Sequence, residues 1–570
     1  MKSFHITIVI LAVLLTTLLG ARGQSNNALS IYEGQYINSI TFRIRGLPDE
    51  ALAAQNLKQK IEAAFRLYPQ TQYNSFMADY YVGQISILPF VESVILEIEN
   101  SSQGGINLMV VAKLRATDVE GPKRESLFTS VKSFPLLYNS QRTYLTLKAA
   151  ASEMIYSNSN AWFSRPETLT QGNPLAHHPV GLGYTAWVEG FASVGIYGIT
   201  NIIPRANFHI YGGFNYLASF STGTELFTDK SRFYGDWEQA YLGFIGGGRT
   251  SSGHVYRYNA LYGRKQFILG DGFILINTSM NGDNRAALQL NPRWAAKKVF
   301  QASFMWDRLF IQVFNLQANE LPTLSSETVI SGLNVELGNK DRLLVGASFL
   351  HVPSSRFKYY LADGTTRSRQ GLQLYNIRVF KNAPLTGSGF FFKTEVAWQR
   401  NSNFNMSAWA FYGELGWNFQ QRLSLSYRFA YFGGDNPKSD SYNRWDALYT
   451  GGNGEQWVQG SNMYKIVQNS NEMSHRLQLI YNPVRRLQLV GQVWLFYAPQ
   501  ANNIGGNPAL TELSSKFYGA ELNLTLKYFH SRHWYFHLNT AYTLPGGAIR
   551  NNVPGAHNWF CLSAFARYSF

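Results

Sequence analysis

The chain has 570 residues, of which 15% are aromatic and 15% are charged, and its formal net charge is +15. This is more aromatic and less charged than most soluble enzymes. The single cysteine, Cys561, excludes an intramolecular disulfide and a metal site built from several cysteines. The mean hydropathy of −0.18 gives no sign of helical membrane spans beyond the N-terminus.

The first residues have the pattern of an export signal. Lys2 gives a basic start, residues 6–19 form an apolar run, and small residues stand on both sides of Arg22. The run is too short for a comfortable membrane helix. We therefore expect a cleaved signal peptide over residues 1–23 and a mature chain that starts near Gln24.

Residues 24–116 have the pattern of a small domain of their own. A strand is predicted up to Gly46, and Asp49 can cap the helix that follows. The remaining predicted elements are a helix to residue 66, a helix over 74–84 and strands over 91–99 and 106–114. This order of elements resembles a polypeptide-transport-associated (POTRA) domain, which implies a soluble periplasmic module that docks a partner. The alternative is a generic small α+β domain.

From residue 181 to residue 570, strands alternate with turns. The final strand places Phe560, Leu562 and Tyr568 on one face and Cys561 and Arg567 on the other. Residues 422–431 and 521–528 alternate in the same way. Period-two alternation also occurs in soluble sandwiches, but an aromatic apolar face, segments of about ten residues and a terminal Phe570 are typical of a transmembrane β-barrel. We expect an antiparallel outer-membrane barrel, with Tyr568 and Phe570 as its membrane-insertion signal.

Turn lengths predict the orientation and size of this barrel. Residues 338–341, 418–421 and 482–485 are tight connections, as periplasmic turns are, whereas 433–474, 498–515 and 545–556 are long, as extracellular loops are. Counting back from the C-terminus gives about 16 to 18 strands, a size that encloses a water-filled lumen. The turn formers in residues 117–180 predict a linker that plugs or threads the mouth, with one strand allowed at 144–147.

Several motifs in the barrel region resemble the alginate-export family of outer-membrane barrels. Residues 262–266 (Tyr-Gly-Arg-Lys-Gln) and 270–272 (Gly-Asp-Gly) are similar to its Gly-Arg-Gln and Gly-Asp-Gly segment, and 444–449 (Arg-Trp-Asp-Ala-Leu-Tyr) to its Phe-Asp-Pro-Leu-Tyr loop. Residues 297–302 keep two basic positions and a phenylalanine but have Gln301 where the family has an acid. Residues 519–524 and 545–547 also match. The resemblance implies a conduit for an anionic polysaccharide.

The charge distribution independently favours an anion-passing lumen. Residues 1–23 carry +2 and residues 24–116 carry −1, so +14 of the total +15 falls on residues 117–570. Arg or Lys on the lipid face costs about 2–4 kcal/mol near the midplane, so the excess must lie in the lumen, loops and turns. Basic groups there would raise the local concentration of a carboxylated substrate. The alternative is that these groups only bind lipopolysaccharide at the rim or pair with acids. The candidate residues of the substrate path are Arg264, Lys265, Asp271, Lys297, Lys298, Arg422, Arg428, Arg444, Glu521, Lys527 and Arg567.

No motif of an enzyme, cofactor site or metal site was found. We therefore expect a non-enzymatic channel, without cofactor or metal, that passes or exports an anionic or polar polysaccharide. The expected partners are the outer membrane with its lipopolysaccharide, the barrel-assembly machinery, the acidic polysaccharide and a periplasmic protein docked by the small domain; nucleic acid is not expected. The alternatives are a POTRA-bearing barrel for protein secretion or assembly, and a general diffusion porin. The former usually carries an Arg-Gly-aromatic loop motif, which residues 117–570 lack.

Overall fold

The computed structural model describes residues 37–47, 51–67, 69, 73–100, 106–114, 135–203, 207–340, 343–383, 388–420, 422–451, 457–484, 486–531 and 533–569. The expected signal peptide, Asp49 and Phe570 lie outside these residues. None of the described helices has the length and hydropathy of a membrane-spanning helix.

The N-terminal domain has the predicted order of elements. They are β1 (Ile37–Arg45), α1 (Ala51–Ala64), α2 (Ser75–Ser86), β2 (Val91–Asn100) and β3 (Ile106–Leu114). The sheet order is β1-β3-β2, with β1 parallel and β2 antiparallel to β3. Asn74 caps α2 by accepting a hydrogen bond from the Met77 backbone amide at 3.0 Å. Ile61, Phe65 and Val110 are buried between the helices and the sheet. Its kinship with POTRA domains stays a prediction.

Within the described residues, eighteen long antiparallel strands close into a barrel, at the upper end of the predicted range. They are β5 (Thr143–Ser159), β6 (Tyr184–Ile203), β7 (Phe208–Gly223), β8 (Arg232–Arg249), β9 (Val255–Arg264), β10 (Lys298–Trp306), β11 (Leu309–Gln317), β12 (Val329–Asn339), β13 (Leu343–Ser354), β16 (Leu372–Lys381), β17 (Gly389–Asn401), β18 (Ala408–Phe419), β19 (Leu423–Phe432), β20 (Glu472–Val484), β21 (Leu487–Tyr497), β22 (Phe517–Phe529), β23 (Trp534–Pro545) and β24 (Trp559–Ser569). A short strand, β4 (Leu136–Asn139), pairs with β5, and β14 (Lys358–Tyr360) pairs with β15 (Thr366–Ser368) in a loop. Two single-turn helices, α3 (Pro166–Leu169) and α4 (Gly547–Arg550), lie in other loops.

The barrel starts earlier in the chain than residue 181, the start that the turn pattern predicts. The segment expected to be a linker contains β4 and β5, and the strand allowed at residues 144–147 is the start of β5. Strand β5 closes the barrel by pairing with β24. Its middle carries Ala149, Ala150 and Ala151, all buried, so apolar residues point to both faces and the alternation that marks other strands is lost.

The outer face of the barrel is apolar, as the alternation predicts. On β19, Leu425 and Tyr427 point outward and are 42% and 47% exposed, whereas Ser426 and Arg428 point inward and are buried. Exposed large apolar side chains continue on every strand around the barrel. A continuous apolar ring of this extent cannot face water in a soluble monomer. The barrel therefore has the surface of a membrane protein.

Turn lengths follow the prediction, but two of the longer connections do not stay outside the barrel. Residues 265–297, between β9 and β10, and the described residues 433–451 and 457–471, between β19 and β20, fold into it. We call them the first and second inserted segments. They pack against inward-facing residues of the wall, so the interior at their level is filled by protein. This corrects the expectation of a simple water-filled lumen, which strand number alone suggested.

Candidate functional site

The first inserted segment carries the Gly-Asp-Gly motif as a tight turn inside the barrel. Gly270 and Gly272 have φ angles of 62° and 94°, which glycine adopts without strain. Between them, Asp271 accepts hydrogen bonds from the hydroxyl of Tyr412 on β18 at 2.7 Å and from the indole of Trp457 at 3.3 Å. The motif therefore positions one carboxylate between the wall and the second inserted segment.

The other end of the first inserted segment is anchored on the opposite part of the wall. The Arg293 guanidinium donates to the Ser219 hydroxyl of β7 at 2.7 Å, and burial lowers the pKa of Arg293 to about 10. The Glu238 carboxylate of β8 accepts from the backbone amides of Trp294 and Ala295, both at 2.7 Å. Because this segment contacts β7 and β8 at one end and β18 at the other, it crosses the barrel interior.

The second inserted segment is held by a group that we call the inner clamp, formed by Tyr359, Arg369, Gln399 and Asp446. The Arg369 guanidinium donates two hydrogen bonds to the Asp446 carboxylate, at 2.7 and 2.9 Å, and the Tyr359 hydroxyl donates a third at 2.6 Å. The Gln399 side chain of β17 binds the Asp446 backbone at 2.7 and 2.9 Å. Both charged side chains of the clamp are less than one-tenth exposed.

The two inserted segments meet, which joins two of the motifs on which the family resemblance depends. Leu275 pairs with Tyr449 in a short parallel bridge, and the Ile276 amide donates to the Tyr449 carbonyl at 3.0 Å. The Thr450 hydroxyl donates to the Gly272 carbonyl at 3.1 Å. The Gly-Asp-Gly turn and the loop motif of residues 444–449 are thus parts of one internal structure.

Charged and aromatic side chains form a row along the inner wall at this level. Strand register places Glu414, Arg428, Arg476, Trp494 and Glu521 beside one another on β18 to β22. We call this set the charged row. Arg476 pairs with Glu414 at 2.7 Å, and on nearby strands Arg378 pairs with Glu336 at 2.8 Å. All four of these ion-paired side chains are almost fully buried, so their charges are compensated.

Arg428 differs from Arg476, the other arginine of the row: Glu414 faces Arg428 in the strand register, but no carboxylate lies within 4 Å of Arg428 in the described part of the chain. Its guanidinium donates to the Gln459 side chain at 3.1 Å and lies over the rings of Trp457 and Trp494, at 4.5 and 5.4 Å from their centres. An aromatic pair stabilises a buried cation without neutralising it. Arg428 therefore carries positive charge at the centre of the inner wall.

Two other predicted residues of the substrate path also lie within this structure. The Glu521 carboxylate accepts from the backbone amides of Asn462 and Met463, at 3.1 and 2.9 Å, and so anchors the second inserted segment. The buried Arg444 donates to Asn503 at 2.7 Å, and burial lowers the pKa of its guanidinium. In these contacts, both side chains hold loops in place.

The remaining predicted residues are spread around the barrel. Arg264 faces Asp236 at 3.6 Å, and the Lys265 ammonium lies 4.7 Å from the ring centre of Tyr241. Lys297 and Lys298 are exposed where β10 begins, and Arg422 is exposed at a tight turn. These five do not form a cluster with the charged row.

Lys527 and Arg567 point inward and are half-buried, on the part of the wall beyond the charged row towards the C-terminal end of β24. Amide and hydroxyl groups line the wall between them and the row. There, Gln492 donates to Gln478 at 2.7 Å, and Asn539 donates to the Thr525 hydroxyl at 2.8 Å. This half of the interior is polar, with side-chain amides and hydroxyls that hydrogen-bond to one another.

Sequence reasoning missed several interior residues, notably Arg293, Arg369, Arg378 and Arg476. Arg378 could have been found, because Leu374, Asn376 and Arg378 alternate with exposed residues on β16. Arg293 and Arg369 lie in loops, where no periodic pattern indicates the direction of a side chain.

One protein family matches part of the chain. The family described as Alginate export matches residues 349–561. That match covers the chain from the end of β13 into β24 and includes the inner clamp and the charged row. With the closed eighteen-strand barrel of the described residues, it fits an outer-membrane barrel of the alginate-export type, and the family's description names export and not an enzymatic reaction. No curated protein matches the chain.

Solved structures of porins from Pseudomonas aeruginosa are similar at low identity. OprD is 10% identical with a TM-score of 0.45, over 75% of this chain and 94% of its own. OccK9 (OpdG) is 10% identical with a TM-score of 0.44, over 75% and 98%. OpdK, solved with vanillate, is 11% identical with a TM-score of 0.42, over 74% and 98%.

Proposed function

We propose that the protein is an outer-membrane channel that passes or exports an anionic polysaccharide along its cationic inner wall. The observation that supports this most directly is Arg428, a buried cation between two tryptophans with no carboxylate within 4 Å in the described residues, on a wall that the Alginate export family matches. A cation in a site of low dielectric attracts a carboxylate more strongly than it would in water.

The polar half of the interior gives the polymer a hydrated approach to this cation. Lys527 and Arg567 lie on that approach, and the amides beyond them donate and accept hydrogen bonds as sugar hydroxyls do. In this proposal the inserted segments are the constriction, since they fill the interior beside the charged row. Transport then requires the second inserted segment to shift where it is held least, outside the inner clamp.

Ion selectivity in planar bilayers tests the proposal. Reversal potentials across a salt gradient should show that the parent channel prefers anions and that Arg428→Gln reduces this preference. Arg422→Gln is the matched control, since Arg422 is exposed at a turn on the same strand pair. Polygalacturonate added to one side should block the parent channel more strongly than neutral dextran does. A cation-selective parent channel would refute the proposal.

A second candidate is a barrel that handles proteins, and the order of elements in the N-terminal domain favours it. It predicts that the N-terminal domain binds an unfolded or extended polypeptide. Pull-down of a secreted passenger protein by the full-length protein, but not by a form lacking residues 36–115, would favour this candidate. Block by polygalacturonate without passenger binding would favour the polysaccharide channel.

A further inference from the structure

A cavity of about 240 Å³ lies where the N-terminal domain meets the barrel. The domain contributes Arg66, Met77 and Tyr81 to its lining, and the barrel contributes Asn207, Arg249, Arg257 and the glycines at 246–248. The cavity is therefore completed only when the domain is docked. It is separate from the charged row and from the inserted segments.

Docking of the domain depends on polar contacts made by helix α2. The Asp79 carboxylate pairs with the Lys148 ammonium of β5 at 3.1 Å, and both side chains are at most one-tenth exposed. The Gln84 side chain donates to the Ser140 carbonyl at 3.1 Å, and the ring of Tyr80 packs on His209 at 4.8 Å. These contacts place the end of α1 and one face of α2 over the mouth of the barrel, beside β7 and β8.

The cavity lining is basic. It contains three arginines, from three different elements, and no aspartate or glutamate. Within the described residues, neither Arg66 nor Arg249 forms an ion pair. Arg66 and Arg249 are exposed and Arg257 is half-buried, so the cavity is bordered by arginines that solvent can reach. Arginines that border one space are suited to binding a carboxylate or phosphate, because each guanidinium can donate two parallel hydrogen bonds.

The glycine run forms a thin wall of the cavity. A side chain at Gly246 would overlap the Tyr258 hydroxyl, and one at Gly247 would overlap the Tyr256 carbonyl. The Asn207 side chain holds this stretch by donating to the Gly247 carbonyl at 2.6 Å. These glycines lie at the end of β8, where the neighbouring tyrosines leave no room for a side chain.

We propose that this cavity binds one carboxylated sugar residue of the transported polymer, with the carboxylate held by Arg66, Arg249 and Arg257. The inference rests on the proposed function for the identity of the polymer. The volume is smaller than the roughly 300–1,000 Å³ of pockets for drug-sized ligands, which suits a single sugar ring. Tyr81 and Met77 also line the cavity, but they are almost fully buried in the domain. The site receives the polymer at the end of the barrel where the domain docks.

Calorimetry with the full-length protein in detergent tests this site. Trigalacturonate is the probe, maltotriose is the neutral counterpart, and inorganic phosphate tests for a general anion site. We expect Arg66→Gln and Arg249→Gln each to weaken trigalacturonate binding about tenfold or more, as expected for loss of a charged hydrogen-bond donor. Arg367→Gln, which removes an exposed arginine from β15, is the matched control and should leave the affinity unchanged. Lys148→Met should weaken docking of the domain and thereby reduce trigalacturonate binding, although Lys148 is not one of the residues that line the cavity.

The proposal is overturned if both cavity variants bind trigalacturonate as the parent protein does, or if maltotriose or phosphate binds equally well. The two arginines lie on different elements, so a folding defect in one variant leaves the other informative. Bilayer selectivity of the same variants separates this inference from the proposed function. Arginine-dependent binding in a cation-selective channel would retain the site and reject the channel proposal, whereas unchanged binding in an anion-selective channel would reject only the site.

Discussion

The barrel wall is attached to other parts of the chain in two places, and the two attachments differ in kind. On the β16–β22 side, the second inserted segment is held by the ion pair of the inner clamp and by hydrogen bonds with the wall residues Gln399, Arg428 and Glu521. On the β5–β8 side, the contacts of the N-terminal domain within the described residues include a buried ion pair, Lys148 with Asp79, a few hydrogen bonds and the packing of Tyr80 on His209. Buried contacts with several wall strands fix one arrangement, whereas a docking pair can be broken at one point.

The strands of the wall also differ in length between these two sides of the barrel. Strands β5 to β8 have 16 to 20 residues, whereas the strands of the barrel wall from β9 onward have 9 to 13. A tilted strand needs about 9–11 residues to cross a membrane. Only residues 150–159 of β5 pair with β24, so the first seven residues of β5 extend beyond the end of the last strand. That extension carries Lys148 and provides the surface on which the domain docks.

The largest effect is expected from breaking the inner clamp. Asp446→Asn leaves the buried Arg369 without its charge partner, and breaking a buried pair in this way costs about 3–5 kcal/mol. We expect less heat-modifiable barrel on SDS gels and a lower midpoint of urea unfolding. Asp363→Asn is the matched control, since Asp363 is an exposed aspartate in the loop that carries Arg369. Equal stability of the two variants would mean that the clamp does not hold the segment.

A comparable but local effect is expected at the docking pair. Lys148→Met leaves Asp79 buried without its partner and should weaken docking by about 2–5 kcal/mol, since truncating one member of a buried charge pair has this cost at interfaces. Limited proteolysis should then release the N-terminal domain faster while the barrel keeps its heat-modifiability. Lys113→Met removes the exposed pair with Glu92 and should change the rate little. Equal proteolysis of both variants would contradict this account of docking.

A smaller effect, on the folding of the N-terminal domain, is expected when the domain is separated from the barrel altogether. The fragment of residues 36–115 should fold alone as a soluble domain, because Ile61, Phe65 and Val110 are buried within it. Circular dichroism should show helix and strand with a cooperative thermal transition. The same fragment carrying Phe65→Ala is the control that should lose the transition. A disordered parent fragment would show that the barrel is needed to form the domain.

The smallest effect is expected on ion selectivity, when a cation in the polar half of the interior is removed. Removal of an exposed cation at the rim of the barrel is the comparison. Lys527→Gln removes an inward charge, whose effect is reduced by screening over a Debye length of about 8 Å at physiological salt. We expect a modest loss of anion preference in bilayers, smaller than that of Arg428→Gln. Lys297→Gln removes an exposed charge where β10 begins and should change the reversal potential less. The reverse order would place the selective region at the rim.

Much of the fold could be predicted because its signals are local. Alternation on β19, β22 and β24 distinguished lipid-facing from inward residues. The length of each connection distinguished tight turns from long loops. The start of the barrel was missed because the alanines of β5 hide its alternation. The inward position of Arg428 was predicted from alternation, but its stacking between two tryptophans was not. Whether the predicted residues act on a substrate remains a prediction.

The sequence by itself determined which residues face lipid, how the strands are connected and the order of elements in the N-terminal domain. Each of these depends on the contrast between lipid and water over a few consecutive residues. Only the tertiary structure decided that the interior is crossed by two segments and which charges are compensated. Arg369 meets Asp446 across 77 residues of sequence, and Lys148 meets Asp79 across a domain boundary. An inward position is a local property, but a charge partner depends on how distant parts of the chain pack together.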